Sequence, residues 1–146
     1  MKSDNVVLIG SKRANPWVEL MEPQMNFRFG YDPVTSQSFF ENRQPRAGEL
    51  AVYRNDPAVS YCDLAFLPNL GHTGNLLVIS GTEMEGTEAG GEFLTTPRGM
   101  ATLQRYVKLE GGGRFPYFEA LPRSRKIGGA SPGFEVISTR VLAHTP

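Results

Sequence analysis

Along the first third of the chain the apolar positions change their period twice. Residues 5–9 contain a continuous apolar run, Val6-Val7-Leu8-Ile9, closed by Gly10, as expected of a strand buried on both faces. Asn15-Pro16 follows, an N-cap residue before a proline at the first helical position. Trp17, Leu20 and Met21 then recur at helical spacing. Pro23 ends that helix, because a proline inside it removes a hydrogen bond and clashes with the preceding turn. From residue 27 the period drops to two. Phe27, Phe29 and Tyr31 alternate with polar positions such as Arg28, the pattern of a half-buried strand. Asp32-Pro33 is turn chemistry, and Ser38-Phe39-Phe40 returns as the second arm of a hairpin. Residues 44–57 are polar and proline-bearing, a loop-rich connection with a short strand at 50–53.

The second half is more regular. Residues 61–67 read as a strand closed by Pro68-Asn69, with a Gly71-His72-Thr73-Gly74 turn beyond it. Leu76-Leu77-Val78-Ile79 is the most buried-looking strand of the chain, and Gly81 follows it. A helix is expected to start near Gly86-Thr87-Glu88 and to carry Ala89, Phe93 and Leu94. Thr96-Pro97 repeats the cap-then-proline signal and starts a second helix with Met100, Leu103 and Val107 on one face. Gly111-Gly112-Gly113 reads as a flexible joint. Strands at 115–121 and 134–142 flank a basic, glycine-containing link, and there is no internal repeat. Two strand–loop–helix units among hairpin-like strands predict an α/β fold. The expected form is a three-layer, Rossmann-like or flavodoxin-like single domain over 1–146 with a mixed sheet. Strands 5–9 and 75–80 are expected to be central and parallel, with antiparallel hairpins toward the edges.

Composition narrows the function classes. A chain of 146 residues with 40% hydrophobic content can bury one sizeable core and is too apolar to be disordered. Fifteen Lys+Arg against fifteen Asp+Glu give zero net charge, which removes the bulk electrostatic argument for nucleic acid or a membrane surface. The lone Cys62 excludes an intrachain disulfide framework and a multi-cysteine zinc site. Sixteen glycines and eleven prolines favour turns over long helices. The first apolar run is shorter than the roughly 7–15 residues of a signal-peptide core, and no run approaches the roughly 20 of a membrane helix. A cytoplasmic protein is expected. A strand beginning almost at residue one also fits a domain cut from, or once fused behind, another module.

Candidate chemistry concentrates where open α/β sheets bind ligands, in the loops leaving the carboxyl ends of central strands. The first loop offers Gly10, Ser11, Lys12, Arg13 and Asn15; the second offers Gly81, Thr82, Gly86 and Thr87. Both lead into a helix N-terminus, whose exposed N–H groups and dipole attract anions. Lys12 and Arg13 add positive charge to the first, for which a phosphate or carboxylate is the natural partner. Glu83, Glu85 and Glu88 load the second with carboxylates, one of which could serve as general acid, base or nucleophile at a glycosidic carbon. The plain structural alternatives are that Asn15 only caps its helix and that Thr82 and Glu85 form a capping box. Carboxylates alone would favour Mg²⁺ or Ca²⁺, but calcium-loop spacing is absent, and no metal is expected. Cys62 reads as a small buried strand residue. His72 lies in a glycine turn, His144 lies near the terminus, and nothing in the sequence pairs either with Cys62. Arg123, Arg125 and Lys126 read as a solvated hairpin loop.

The segment Val6-Val7-Leu8-Ile9-Gly10-Ser11 with Asn15-Pro16-Trp17, and residues 74–88 with their Ser-Gly-Thr turn and the following Gly-Thr-Glu-Ala, resemble uncharacterised bacterial α/β domains that often follow a DNA-binding or other module. The resemblance implies a flavodoxin-like or Rossmann-like sensor or accessory domain without assigned activity. The first loop lacks the threonine- and glycine-rich phosphate pattern of true flavodoxins, so no flavin or other cofactor is expected. The leading expectation is a non-catalytic domain that binds a small anionic or nucleotide-like ligand, or a partner, through the two loops. One alternative is an enzyme acting on a nucleotide or nucleoside glycosidic bond with a loop glutamate. Another is a module that assembles with itself or an upstream domain through exposed strands and Phe39-Phe40.

Overall fold

A computed structural model describes residues 4–108, 113–125 and 134–142. Within them the chain runs β1 (Val6–Ile9), α1 (Pro16–Met21), a 3-10 turn (Glu22–Gln24), β2 (Phe27–Asp32), β3 (Gln37–Asn42), β4 (Val52–Arg54), β5 (Val59–Pro68), β6 (Asn75–Gly81), α2 (Met84–Thr95), α3 (Pro97–Tyr106), β7 (Phe118–Arg125) and β8 (Phe134–Val141). Five strands form one sheet in the order β1-β6-β5-β7-β8, and β2-β3-β4 form a second. Two helices start as their caps predict. The Asn15 side chain accepts from Trp17 N at 3.1 Å, and Thr96 Oγ1 accepts from Gly99 N at 3.2 Å. The helix expected near Gly86 begins earlier, at Met84. Gly111, Gly112, Lys126 and His144 lie outside the described residues. Among the described residues no helix is long and apolar enough to cross a membrane.

The expected three-layer Rossmann-like or flavodoxin-like arrangement does not form. A doubly wound sheet needs successive parallel strands joined through helices. Here only β1 and β6 pair in parallel, while β5 is antiparallel to β6 and to β7, and β7 to β8. The cause lies in the connections. Only residues 69–74 separate β5 from β6, too few for a crossover of about a dozen residues, so the two must fold back as a hairpin. Asn69 builds that turn: its N–H donates to Gly74 O at 2.9 Å, its Oδ1 accepts from Thr73 N at 3.0 Å, and His72 takes a φ of 54°. The α2–α3 pair then carries the chain across β5 to β7.

Nor is β1 central. It is the edge strand, with Leu8 buried but Val7 and Ile9 at 55% and 59% exposure. The centre belongs to β5, buried on both faces from Ser60 to Ala65. On one face Cys62, Leu64 and Ile79 meet Phe93 of α2 and Leu103 of α3. On the other, Leu8, Ala65, Leu67 and Val78 meet Val18 and Met21 of α1. The remainder of that second face is covered by the small sheet, through Phe27, Phe29, Phe40 and Tyr53 against Tyr61 and Leu121. The hairpin expected at a sheet edge is thus a layer of its own. Phe40 is buried in this seam, and Phe39 lies over Gly30 with the Arg54 guanidinium 5.1 Å from its ring. Phe39-Phe40 is therefore not the exposed patch that self-association through it would need.

The seam also holds buried acids. Glu119 Oε1 and Oε2 accept from Asn26 N at 2.6 Å and Phe27 N at 3.2 Å, fastening the start of β2 to β7. Asp63, on the same face of β5, is fully buried, and no N–H or O–H reaches either of its oxygens. Burial pushes the Asp63 carboxyl well above the ordinary range, and the Glu119 charge raises it further. A second buried charge beside Glu119 is disfavoured, which favours a proton on Asp63. Glu119 is raised by burial as well, against the pull of its two N–H donors and of Arg140. Across the small sheet, Glu49 behaves oppositely: the Arg140 guanidinium, 2.6 Å away, holds its carboxyl far below the usual range.

A Cβ on Gly90 would sit 2.4 Å from Cys62 Sγ, whereas one on the neighbouring Gly91 meets nothing within 4 Å. Gly90→Ala should therefore cost about 1–3 kcal/mol by overpacking, while Gly91→Ala should add about 1 kcal/mol of helix propensity; urea midpoints compare the two directly. The acids set a pH dependence. In an unfolded chain Asp63 titrates near about pH 4, so above that the folded protein retains a proton the unfolded chain has released. Stability attributable to Asp63 is then complete below about pH 4 and falls as pH rises toward the raised folded value, by up to about 1.4 kcal/mol per pH unit. Glu49 acts on the other side, losing its contribution only as pH falls below the ordinary carboxylate range. Asp63→Asn, which keeps the shape and a donor toward Glu119, should flatten the alkaline-going slope in urea unfolding between about pH 5 and pH 8. An unchanged slope would place the titration elsewhere.

Candidate functional site

Because β1 and β6 are parallel and paired through Ile9 and Ile79, their loops leave the sheet side by side. Gly10 N donates to Ile79 O at 2.9 Å as it turns away, at a φ of 101° that disfavours any side chain. Gly81 makes the matching turn on β6. A Cβ there would lie 2.3 Å from Thr87 N and 2.6 Å from Glu83 O, so the first turn of α2 wraps tightly over it. Thr87 Oγ1 locks this wrap, accepting from Gly81 N at 3.0 Å and donating to Glu83 O at 3.3 Å.

Between the loops lies a cleft of about 350 Å³. Gly10, Ser11, Arg13 and Ala14 form one side of it, and Gly81, Thr82, Glu83, Met84 and Thr87 the other. Phe29 of β2 and Ser38 of β3 complete the lining from the small sheet. The Arg13 guanidinium stacks 3.7 Å above the Tyr31 ring. That contact orients the cation without neutralising it. Among the described residues the hydroxyls of Ser11 and Ser38 and the Arg13 N–H groups make no hydrogen bond.

Seven of the residues singled out in the sequence meet here: Gly10, Ser11, Arg13, Gly81, Thr82, Glu83 and Thr87. The others do not line the cleft. Lys12 turns to Glu22, with Nζ 2.9 and 3.2 Å from its two oxygens. Asn15 caps α1 and donates to Ile9 O at 3.4 Å. Gly86 is a packing glycine, where a Cβ would meet Tyr61 O at 2.7 Å. Glu85 and Glu88 are exposed on α2. The three-carboxylate constellation is thus not assembled, and Glu83 alone reaches the cleft. Its Oε1 accepts from Ser60 Oγ at 2.5 Å and its Oε2 from Asn55 Nδ2 at 3.2 Å. The capping box of Thr82 with Glu85 does not form either. Thr82 Oγ1 accepts from Tyr61 N at 3.1 Å and donates to Asn55 Oδ1 at 3.0 Å, while Glu83 occupies the N-cap position.

Sequence reasoning missed Phe29, Ser38, Tyr31, Asn55 and Ser60. Each arrives from the small sheet or from its junction with β5, and no local pattern announces that approach. Cys62 is buried, and burial pushes its thiol up, which leaves it a packing residue. Arg123 pairs with Glu135. His72 sits in the β5–β6 turn. Among the described residues there is no group of three or more side chains able to hold a metal ion. The chain matches no family model, and neither a curated protein nor a solved structure shows significant similarity to it.

The cleft's shape rests on the buried Thr82 hydroxyl. Thr82→Val keeps the volume but strips Tyr61 N of its acceptor and Asn55 of its donor, which should cost about 1–3 kcal/mol in chemical denaturation. Thr82→Ser should recover most of that loss, because the same hydroxyl returns.

Proposed function

We propose that this chain is a small-ligand-binding domain whose ligand is an anionic, nucleotide-sized molecule held in the cleft at the carboxyl ends of β1 and β6. The observation that carries this reading is the convergence of the two loops on one cleft of about 350 Å³, within the range typical of ligand pockets. Its chemistry has two parts. Arg13, Ser11 and Ser38 offer donors for an anionic group. Phe29, Ala14 and Met84 offer apolar surface for the body of the molecule. The donors that shape the loops, Thr82 and Thr87, are committed to protein partners, so recognition falls to the uncommitted ones.

α1 contributes less than its position suggests. It has six residues, and Asn15 already satisfies Trp17 N. The anion is therefore drawn by the Arg13 guanidinium rather than by that helix end. Glu83, tied to Ser60 and Asn55, buttresses the loop after β6 and supports binding rather than bond cleavage.

A thermal-shift screen of nucleotides and nucleoside phosphates, followed by calorimetric titration, tests the reading. Arg13→Gln should weaken the best ligand about tenfold while leaving the unliganded melting temperature unchanged. Thr87→Val should weaken it too, by releasing Gly81. Equal affinity in wild type and Arg13→Gln would remove the ligand from this cleft. Release of free base during the incubation, abolished in Glu83→Gln, would make the cleft catalytic instead.

A further inference from the structure

A second cleft, of about 380 Å³, opens where the loop after β3 approaches the 3-10 turn and β8. Three guanidinium groups line it, from Arg43, Arg46 and Arg140. Arg140 is buried and fully engaged. Its Nη2 lies 2.6 Å from Glu49 Oε1 and 3.0 Å from Gln44 O, and its Nη1 lies 3.0 Å from Glu49 Oε2. Its guanidinium also rests 5.7 Å from the Phe27 ring. Among the described residues Glu49 forms its ion pair with Arg140.

Arg43 and Arg46 are different. Each makes one hydrogen bond to a main-chain carbonyl, Arg43 Nη1 to Met25 O at 3.5 Å and Arg46 Nη1 to Thr139 O at 3.2 Å. Neither has a carboxylate partner among the described residues. Each bond leaves the other guanidinium N–H groups uncommitted while holding the side chain at the rim. The loop that carries them is itself anchored. Arg46 N donates to Glu49 Oε1 at 2.9 Å, Gln44 N donates to Asn26 Oδ1 at 3.1 Å, and Leu50 N donates to Tyr53 Oη at 3.0 Å.

We infer that this cleft is a second ligand site, separate from the one at β1 and β6, and that it takes a phosphoryl group between Arg43 and Arg46. The chemistry favours that class. Two guanidinium groups without a carboxylate partner among the described residues line one concavity and present planar forks of N–H donors, and a phosphoryl group has oxygens enough to accept from both. Arg140 lines the cleft, and its pairing with Glu49 ties the loop to β8. Gln24 in the lining adds an amide donor, while the Asn26 amide is held by Asn42 and Gln44. A neutral or apolar ligand would leave both forks unpaired.

The test is titration of the protein with inorganic pyrophosphate, followed by amide chemical shifts at about 0.15 M salt, where exposed charges are largely screened. Saturable shifts are expected at residues 24–26, 43–46 and 140–142. Arg43→Gln with Arg46→Gln should weaken binding at least about tenfold, while Arg43→Lys with Arg46→Lys should lose only part of it, because charge remains but the fork does not. Arg13→Gln should change nothing here. The melting temperature of each variant separates lost binding from lost folding, and the lysine pair serves if the glutamine pair does not fold. Absence of saturation, equal affinity in the glutamine pair, or binding lost in Arg13→Gln instead would overturn the inference. Citrate binding as tightly as pyrophosphate would overturn the phosphoryl assignment.

Discussion

The carboxylate of Glu119 leaves β7, crosses the seam between the two sheets and accepts the main-chain N–H groups of Asn26 and Phe27 at 2.6 and 3.2 Å. It is fully buried, and a carboxylate in that position is tolerable only where hydrogen bonds replace water. Those two N–H groups open β2. Whatever holds them fixes where Phe27 and Phe29 enter the aromatic seam, and with them Tyr53 against Tyr61 at 5.4 Å. Aromatic area in the seam holds the small sheet, and the polar clamp fixes its register. Asp63 lies on the same seam with its carboxyl raised by burial and by the Glu119 charge, so the interior favours the neutral acid there. Ser80, opposite Asp63 on β6, is a further buried hydroxyl without a partner among the described residues. The middle of the main sheet carries polar groups that a purely apolar core would not need.

Both clefts depend on that docking. One is closed by Phe29 and Ser38, the other by Asn26 and Arg43, and all four belong to the small sheet or its immediate flanks. The main sheet alone would give only the two loops after β1 and β6, open on one side. The mixed topology matters for the same reason. The main sheet contains a single parallel pair, β1 with β6, so only there do two loops diverge from neighbouring strands at the same end. The hairpin of β5 and β6 sends its turn to the opposite end of the sheet, which keeps the site clear of Asn69 and His72.

What could be read in advance follows the range of the forces involved. Asn15-Pro16 and Thr96-Pro97 located α1 and α3, because capping is settled within three or four residues. The alternation of Phe27, Phe29 and Tyr31 located β2, because a half-buried strand shows its own period. Gly10 and Gly81 marked the two turns of the cleft for a similarly local reason. Strand partnership is not local. The run Val6 to Ile9 looks buried on both faces, yet Val7 and Ile9 are exposed at the sheet edge, since hydrophobicity does not say which neighbour covers a strand. The β5–β6 hairpin was legible in principle, because Pro68-Asn69 and the glycine turn leave no room for a crossover. Reading those strands as parts of strand–helix units hid it. Asp63 and Glu119 each carried a weak sign, an acid inside an otherwise apolar strand. Their pairing spans β5 and β7 and has no signature in either segment.

In the sequence one loop carries Lys12 and Arg13 and the other Glu83, Glu85 and Glu88, but the structure does not set these two groups of charges against each other across the cleft. Lys12 is spent on Glu22, Arg140 on Glu49 and Arg123 on Glu135. Glu85 and Glu88 remain on α2, away from both clefts. Of the exposed cations without an ion pair among the described residues, Arg28, Arg98 and Arg105 lie away from both clefts, whereas Arg13, Arg43 and Arg46 line them. Charges at such walls act over a lower effective dielectric than charges on a convex face, so the field there exceeds what net charge implies. Net charge therefore says little about where a charged ligand would be drawn; the concavities beside Arg13, Arg43 and Arg46 say more, because exposed cations on convex faces are screened within about a Debye length.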